Sequence, residues 1–172
     1  MTKQEIIVEF ENAYRSMATT CHKVAEGDFY KPIGEKWSPA ENLRHLTIAA
    51  KLFSRGLNAP KIALWVKFGR TLRKSKSQDE IIRNYQSAEV PAVTGFEPRF
   101  KDETTKEKEL EEFLKYHSEV VKALSKWSEF QINSYIIPQP ILGKTTLREF
   151  LYFMIYHTGH HEKAVLKIKN PA

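Results

Sequence analysis

The sequence predicts an all-α fold, a four-helix bundle with a partly helical insertion between helices 2 and 3. Three observations predict it. A Ser or Thr followed three residues later by Glu, the reciprocal cap of a helix N-terminus, occurs five times ahead of apolar periodicity, at Thr2/Glu5, Ser38/Glu41, Ser77/Glu80, Thr104/Glu107 and Thr146/Glu149. Apolar residues then recur at steps of three and four. The composition, 172 residues with 41% hydrophobic and 28% charged, is that of one domain around one core.

The first helix carries Ile7, Phe10, Tyr14, Met17, Cys21 and Val24 on one stripe. The second, about Pro39 to Gly56, opens with proline at its first position, where no hydrogen bond is lost, and presents Leu46, Ala49, Leu52 and Phe53 around His45. The insertion, 57–103, is too long for a structureless loop. Within it Pro60 to Gly69 reads as a short apolar helix, Ser77 to Glu89 as another, and Pro91 to Pro98 as an extended connector. Trp65 and Phe68, three residues apart with Leu64 and Leu72 nearby, suit packing on the bundle. The third long helix carries Leu110, Phe113, His117, Val120, Leu124 and Trp127, and the last Leu147, Leu151, Met154, Thr158, His161, Val165 and Ile168. Five helix starts leave little room for a sheet. With no internal repeat, the chain 1–172 reads as a single domain.

Net charge is +6, and its placement matters more than its size. From Lys51 to Lys76 there are eight bases and no acid, so the rest of the chain holds 19 bases against 21 acids. No apolar run approaches the roughly 18 residues of a membrane span, and the N-terminal residues lack the apolar core of a secretory signal. The expectation is a cytoplasmic protein with no membrane partner. Cys21 is the single cysteine, so any metal must be held by His, Asp or Glu.

Histidine is the informative residue type. On a helical wheel His157 and His161 fall about 40° apart, and the apolar centroid of the last helix coincides with them, while His160 flanks that face. Two neutral imidazoles on a buried face each need a donor and an acceptor satisfied, and a metal satisfies the acceptors. Residues four apart can converge on one ion, and a third ligand must come from another helix. His45 is the candidate: counted along antiparallel second and last helices, it stands at a similar depth. Three neutral imidazoles leave a position open on Zn²⁺ or Ni²⁺, the arrangement of a catalytic site. His117, inward at mid-length of the third helix, and His160 could be ligands or partners behind them. Glu41, one turn before His45, stands near the right face, but its capping role explains it. Cys21, on an apolar stripe, makes a poor nucleophile because burial disfavours thiolate.

The run Trp37-Ser38-Pro39-Ala40-Glu41-Asn42-Leu43-Arg44-His45-Leu46, followed by Pro140 through Gly143 and Glu149 to Tyr156-His157-Thr158-Gly159-His160-His161, resembles the DinB-like superfamily of four-helix-bundle metalloenzymes over nearly the whole chain. That family's pattern is a histidine on the second helix plus His-X-X-X-His on the last, which falls here on His45, His157 and His161. The resemblance implies one divalent ion, commonly zinc or nickel, and frequent homodimers. Its characterised members include S-transferases that use bacillithiol or mycothiol and a mycothiol-dependent maleylpyruvate isomerase. The insertion is longer than in compact members, so their substrate pockets do not carry over.

The expectation is therefore a metal-dependent hydrolase or low-molecular-weight-thiol S-transferase acting on a small-molecule substrate. A bound cation with neutral ligands keeps its charge and can acidify a water or a thiol. The competing reading is a non-catalytic binder with a structural metal and the basic Lys61–Lys76 segment on an anionic partner, nucleic acid or an anionic membrane surface. Nucleic acid is disfavoured, since that segment's aromatics suit packing. Salt dependence separates phosphate-driven binding from metal-centred chemistry.

Overall fold

The computed structural model describes residues 1–32, 34, 36–88, 96–100 and 104–169, with residues 168 and 169 described by backbone only. In chain order the elements are α1 (Lys3–His22), α2 (Glu26–Phe29), α3 (Pro39–Asn58), α4 (Lys61–Phe68), α5 (Gln78–Ser87), α6 (Lys106–Leu124), α7 (Glu129–Ser134), β1 (Ile136–Gln139), β2 (Gly143–Thr146) and α8 (Leu147–Lys169). The long helices α1, α3, α6 and α8 form the bundle. Part of the connector expected over Pro91 to Pro98 lies outside the described residues, as does the side chain of Ile168.

The helix starts obey the cap chemistry with one shift. Reciprocal capping boxes open α1, α3 and α5 at Thr2/Glu5, Ser38/Glu41 and Ser77/Glu80. At α8 the Glu149 N–H donates to Thr146 Oγ1 at 3.2 Å and the Thr146 N–H donates to Glu149 Oε2 at 2.8 Å. The expected Thr104/Glu107 box does not form. Thr105 caps α6 instead, accepting from the Lys108 N–H, while the Thr104 hydroxyl donates at 2.6 Å to the buried Glu109 carboxylate. A buried carboxylate needs donors, and Thr104 supplies one at the expense of the cap.

The sheet, for which little room was expected, exists as one antiparallel hairpin with Ile136 opposite Thr146 and Gln139 opposite Gly143. Gly143 takes φ +72°, a left-handed conformation that glycine adopts without strain. The Gln139 side chain closes the turn by accepting from the Ile141 and Leu142 N–H groups.

Polar contacts fix the helix directions. Arg44 reaches Glu109 and Glu112 near the start of α6, Ser54 reaches Glu119, and Lys126, just past α6, reaches Asn58, so α3 and α6 run parallel. His45 meets His161 and Phe53 meets Phe150, so α3 and α8 run antiparallel. Arg148 donates to Met1 O and Thr20 to Glu162, which makes α1 and α8 parallel. A parallel α3/α6 pair requires the chain to travel back along the bundle, roughly 30 Å at 1.5 Å per residue, before α6 can begin. That is the physical reason for the insertion. On its way α5 packs on α8, with Tyr85 against Phe153 and Tyr156 and the Gln86 amide donating to Tyr156 Oη at 2.9 Å.

Two side-chain expectations are corrected. Leu52 is exposed rather than buried: the inward face of α3 is Leu43, Leu46, Ala50, Phe53 and Leu57, centred roughly 110° around the helix from His45. Trp65 also points to solvent. In α4 it is Leu64 that is buried and Phe68 that packs on the core, while Ile62, Trp65 and Val66 remain 67%, 51% and 82% exposed.

His117 lies fully buried in an aromatic nest of Phe10, Tyr14 and Phe113, its Nδ1–H donating to Phe113 O at 2.7 Å. Its Nε2 has no partner among the described residues. Burial holds this imidazole down to about 4, the hydrogen bond to Phe113 opposing only in part. An unfolded histidine protonates near pH 6.5, so the stability this neutral ring allows is complete above that pH and is lost as pH falls toward 4. At about 1.4 kcal/mol per unit the loss amounts to about 3 kcal/mol. Chemical denaturation of the metal-free chain across this range should therefore show a shallower pH slope for His117→Leu than for the wild type.

Candidate metal centre

Asn42, three residues before His45 in α3, is buried, and its amide has only one satisfactory orientation. Nδ2 donates to Ser38 O at 2.9 Å and to Trp37 O at 3.1 Å, which leaves Oδ1 as an acceptor. That oxygen lies 2.7 Å from His161 Nδ1, so the ring nitrogen must carry the proton and donate it. His45 Nδ1 lies 2.8 Å from the carbonyl oxygen of Phe96, again an acceptor only. Both rings are thereby set as Nδ1–H tautomers with an Nε2 lone pair directed away from these partners.

The third ring completes the figure. His157 Nε2 stands 3.1 Å from His161 Nε2 and 3.4 Å from His45 Nε2. Three imidazole nitrogens bound tetrahedrally to zinc at about 2.05 Å would lie roughly 3.3 Å apart, close to these spacings. Without a cation, a proton on His157 Nε2 can serve one neighbour, and the other lone pair then faces nitrogen rather than hydrogen. A divalent ion at their convergence satisfies all three. The donor set fits a metal, and among the described residues His45, His157 and His161 are the group of three whose ligand atoms all lie within 4.8 Å of one another.

The protonation states agree with the geometry. Burial, with smaller contributions from the His45 and His160 imidazoles, pushes His157 down to about 3. Burial, then the His157, His45 and His160 rings, holds His161 well below its ordinary value, and burial also lowers His45 against the opposing pull of its bond to Phe96. All three are neutral at neutral pH and available as ligands.

Aromatic rings clamp the triad. Trp37 stacks on His161 with centroids 6.0 Å apart and planes at 14°, and its other neighbour is His45 at 5.0 Å. Phe153 stacks on His157 at 4.8 Å, and Tyr85 of α5 meets the same ring edge-on at 6.0 Å. His45, placed at the flank of α3 rather than on its inward face, is half-buried, covered by Trp37 and Phe96. Residue spacing assigns no role to Trp37, Asn42, Tyr85, Phe96 or Phe153, and Asn42 serves an imidazole 119 residues away.

The remaining candidates fall elsewhere. His117 is in its own nest, away from the triad. His160 is exposed at the rim, its centroid 5.6 Å from that of His161. The Glu41 carboxylate is engaged at 2.6 Å with the Ser38 N–H. Cys21 is buried, and burial pushes its thiol up to about 12, which excludes it as a nucleophile at neutral pH. No described helix is long and apolar enough to cross a membrane.

If Asn42 orients His161, Asn42→Ala should weaken zinc or nickel binding roughly 10–100-fold, measured by competition with a chromogenic chelator, while helix content by circular dichroism stays near wild type.

Comparisons with known proteins agree with this architecture. No curated protein matches the chain. Among solved structures it is similar to the four-helix bundle protein TT2238, with a TM-score of 0.61 and 15% identity over 96% of this chain and 98% of the other, a likeness of fold alone. The family model described as the DinB superfamily matches residues 9–164, and the chain belongs to that superfamily.

Proposed function

We propose that this protein binds one divalent ion, zinc or nickel, through Nε2 of His45, His157 and His161, and works as a metal-dependent hydrolase or low-molecular-weight-thiol S-transferase on a small-molecule substrate in the cytoplasm. The observation that carries the reading is the convergence of the three Nε2 atoms while Asn42 Oδ1 and Phe96 O occupy the Nδ1–H groups behind two of them. A divalent ion with three neutral ligands keeps its full charge, and so supplies a Lewis acid able to acidify a water or a thiol.

The chain's own residues divide the remaining work. Asn42 and Phe96 orient two rings, and Trp37 and Phe153 stack against the triad and keep water from its flanks. His160 is exposed beside His161, at the edge of the triad. A homodimer is the assembly proposed for the intact protein.

The test is metal analysis of the purified chain and its variants. His157→Ala should lose stoichiometric metal while its far-ultraviolet circular dichroism persists, and His160→Ala should keep the ion. One tightly held ion retained in His157→Ala overturns the ligand assignment. A screen of the loaded protein with small thiols and electrophiles, against esters and amides, then separates transfer from hydrolysis.

A further inference from the structure

The outward face of α4 is apolar and uncovered. Ile62, Trp65 and Val66, at i, i+3 and i+4, form one stripe on this eight-residue helix, opposite the face through which Leu64 and Phe68 meet the core. Leu72, 90% exposed, follows shortly after in the chain, and Phe130 at 57% lies beside it around one cleft. Large apolar side chains grouped in this way on a surface mark a contact site rather than chance exposure.

The segment that carries the stripe is charged in one sense. The eight bases from Lys51 to Lys76 stand without an intervening acid, and among the described residues no carboxylate pairs with Lys67, Arg70 or Lys74. Arg70 lies over the Phe130 and Tyr135 rings, which keeps a cation beside the apolar side chains. Of the acids that line the cleft with Leu72 and Phe130, Glu129 pairs with Arg148 and Glu80 accepts from the Ser77 N–H, while Asp79 stands at the start of α5; Glu149 pairs with Arg73.

We infer that α4 and the segment after it form a docking surface for an anionic lipid bilayer, with Ile62, Trp65 and Val66 entering the headgroup boundary and Lys67, Arg70 and Lys74 facing the lipid phosphates. A stripe of aliphatic side chains around one tryptophan gains free energy at a lipid interface, where the indole suits the headgroup level. Nucleic acid offers no hydrocarbon to receive Ile62 and Val66. A symmetric contact with a second copy would bring two acid-free basic segments together, which opposes that occupant. The contact is peripheral, since no described helix can span a bilayer, and it departs from the expectation of no membrane partner, which rested on the lack of a spanning run.

The surface stands apart from the metal centre. α4 follows the C-terminal end of α3, and His45 lies 13 residues before Asn58, roughly 20 Å along the axis at 1.5 Å per residue. Docking through α4 therefore leaves the histidine end of the bundle turned away from the bilayer, and the inference does not rest on the metal reading.

Co-sedimentation with vesicles tests it. The full chain should bind vesicles that carry phosphatidylglycerol beside phosphatidylcholine, bind poorly to phosphatidylcholine alone, and release as salt rises. Binding should shift tryptophan emission to shorter wavelength in the wild type and not in Trp65→Phe. The combined variant Ile62→Ser, Trp65→Ser and Val66→Ser, and separately Lys67→Glu with Lys74→Glu, should each lower binding about tenfold or more while circular dichroism and metal content hold. No binding to anionic vesicles at low salt overturns the inference, as does a serine variant that binds like the wild type. So does a dimer that these serine substitutions dissociate without any vesicle binding, or a DNA duplex that binds the wild type and the serine variant alike.

Discussion

Two hydrogen-bond acceptors that cannot become donors set the rest of the centre. Asn42 Oδ1 and Phe96 O each take the Nδ1–H of one imidazole, which leaves two lone pairs pointing into a buried volume beside a third nitrogen. Neutral lone pairs crowded in a low dielectric have few ways to be satisfied, and a cation is the one that serves all of them. His157 differs from its neighbours. Its Nδ1 is buried and has no partner among the described residues, and the ring stacks on Phe153.

The helix directions explain why a chain with so simple a core carries so long a crossover. Parallel α3 and α6 force a return, and that return delivers two groups to the triad, the ring of Tyr85 and the carbonyl of Phe96. The insertion is part of the centre's wall. Its other half, α4, remains at the far end with its apolar stripe uncovered, so one connection serves the two ends of the bundle differently.

Much of this was legible in residue spacing. The histidine pair four apart on an apolar stripe and the single histidine of α3 were readable because helical periodicity is a local property. Most helix starts were readable for the same reason, since a capping box spans four residues. The errors arose where tertiary contacts decide. Thr105 caps α6 because Glu109, buried beside Arg44, draws Thr104 away. His45 sits on the flank rather than the inner face of α3, a matter of about 110° that depends on where α6 packs. The hairpin before α8 is too short for period-2 alternation to stand out, and Trp65 lies outward because Leu64 and Phe68 take the inner positions of a short helix. The acceptors behind the rings come from Phe96 and Asn42, 51 and 119 residues away from their imidazoles, a separation no local pattern encodes.

That last separation also governs when the centre comes into being. The Asn42–His161 bond closes most of the chain into one loop, and such distant pairings form late in folding because their entropic cost precedes their reward. During synthesis, α3 emerges with its imidazole long before α8 exists. Until α8 is made, His45 lacks both of the imidazoles that converge on it in the folded chain. The group of three is complete only when α8 docks on α3, which makes the assembled triad a report that the whole bundle has closed.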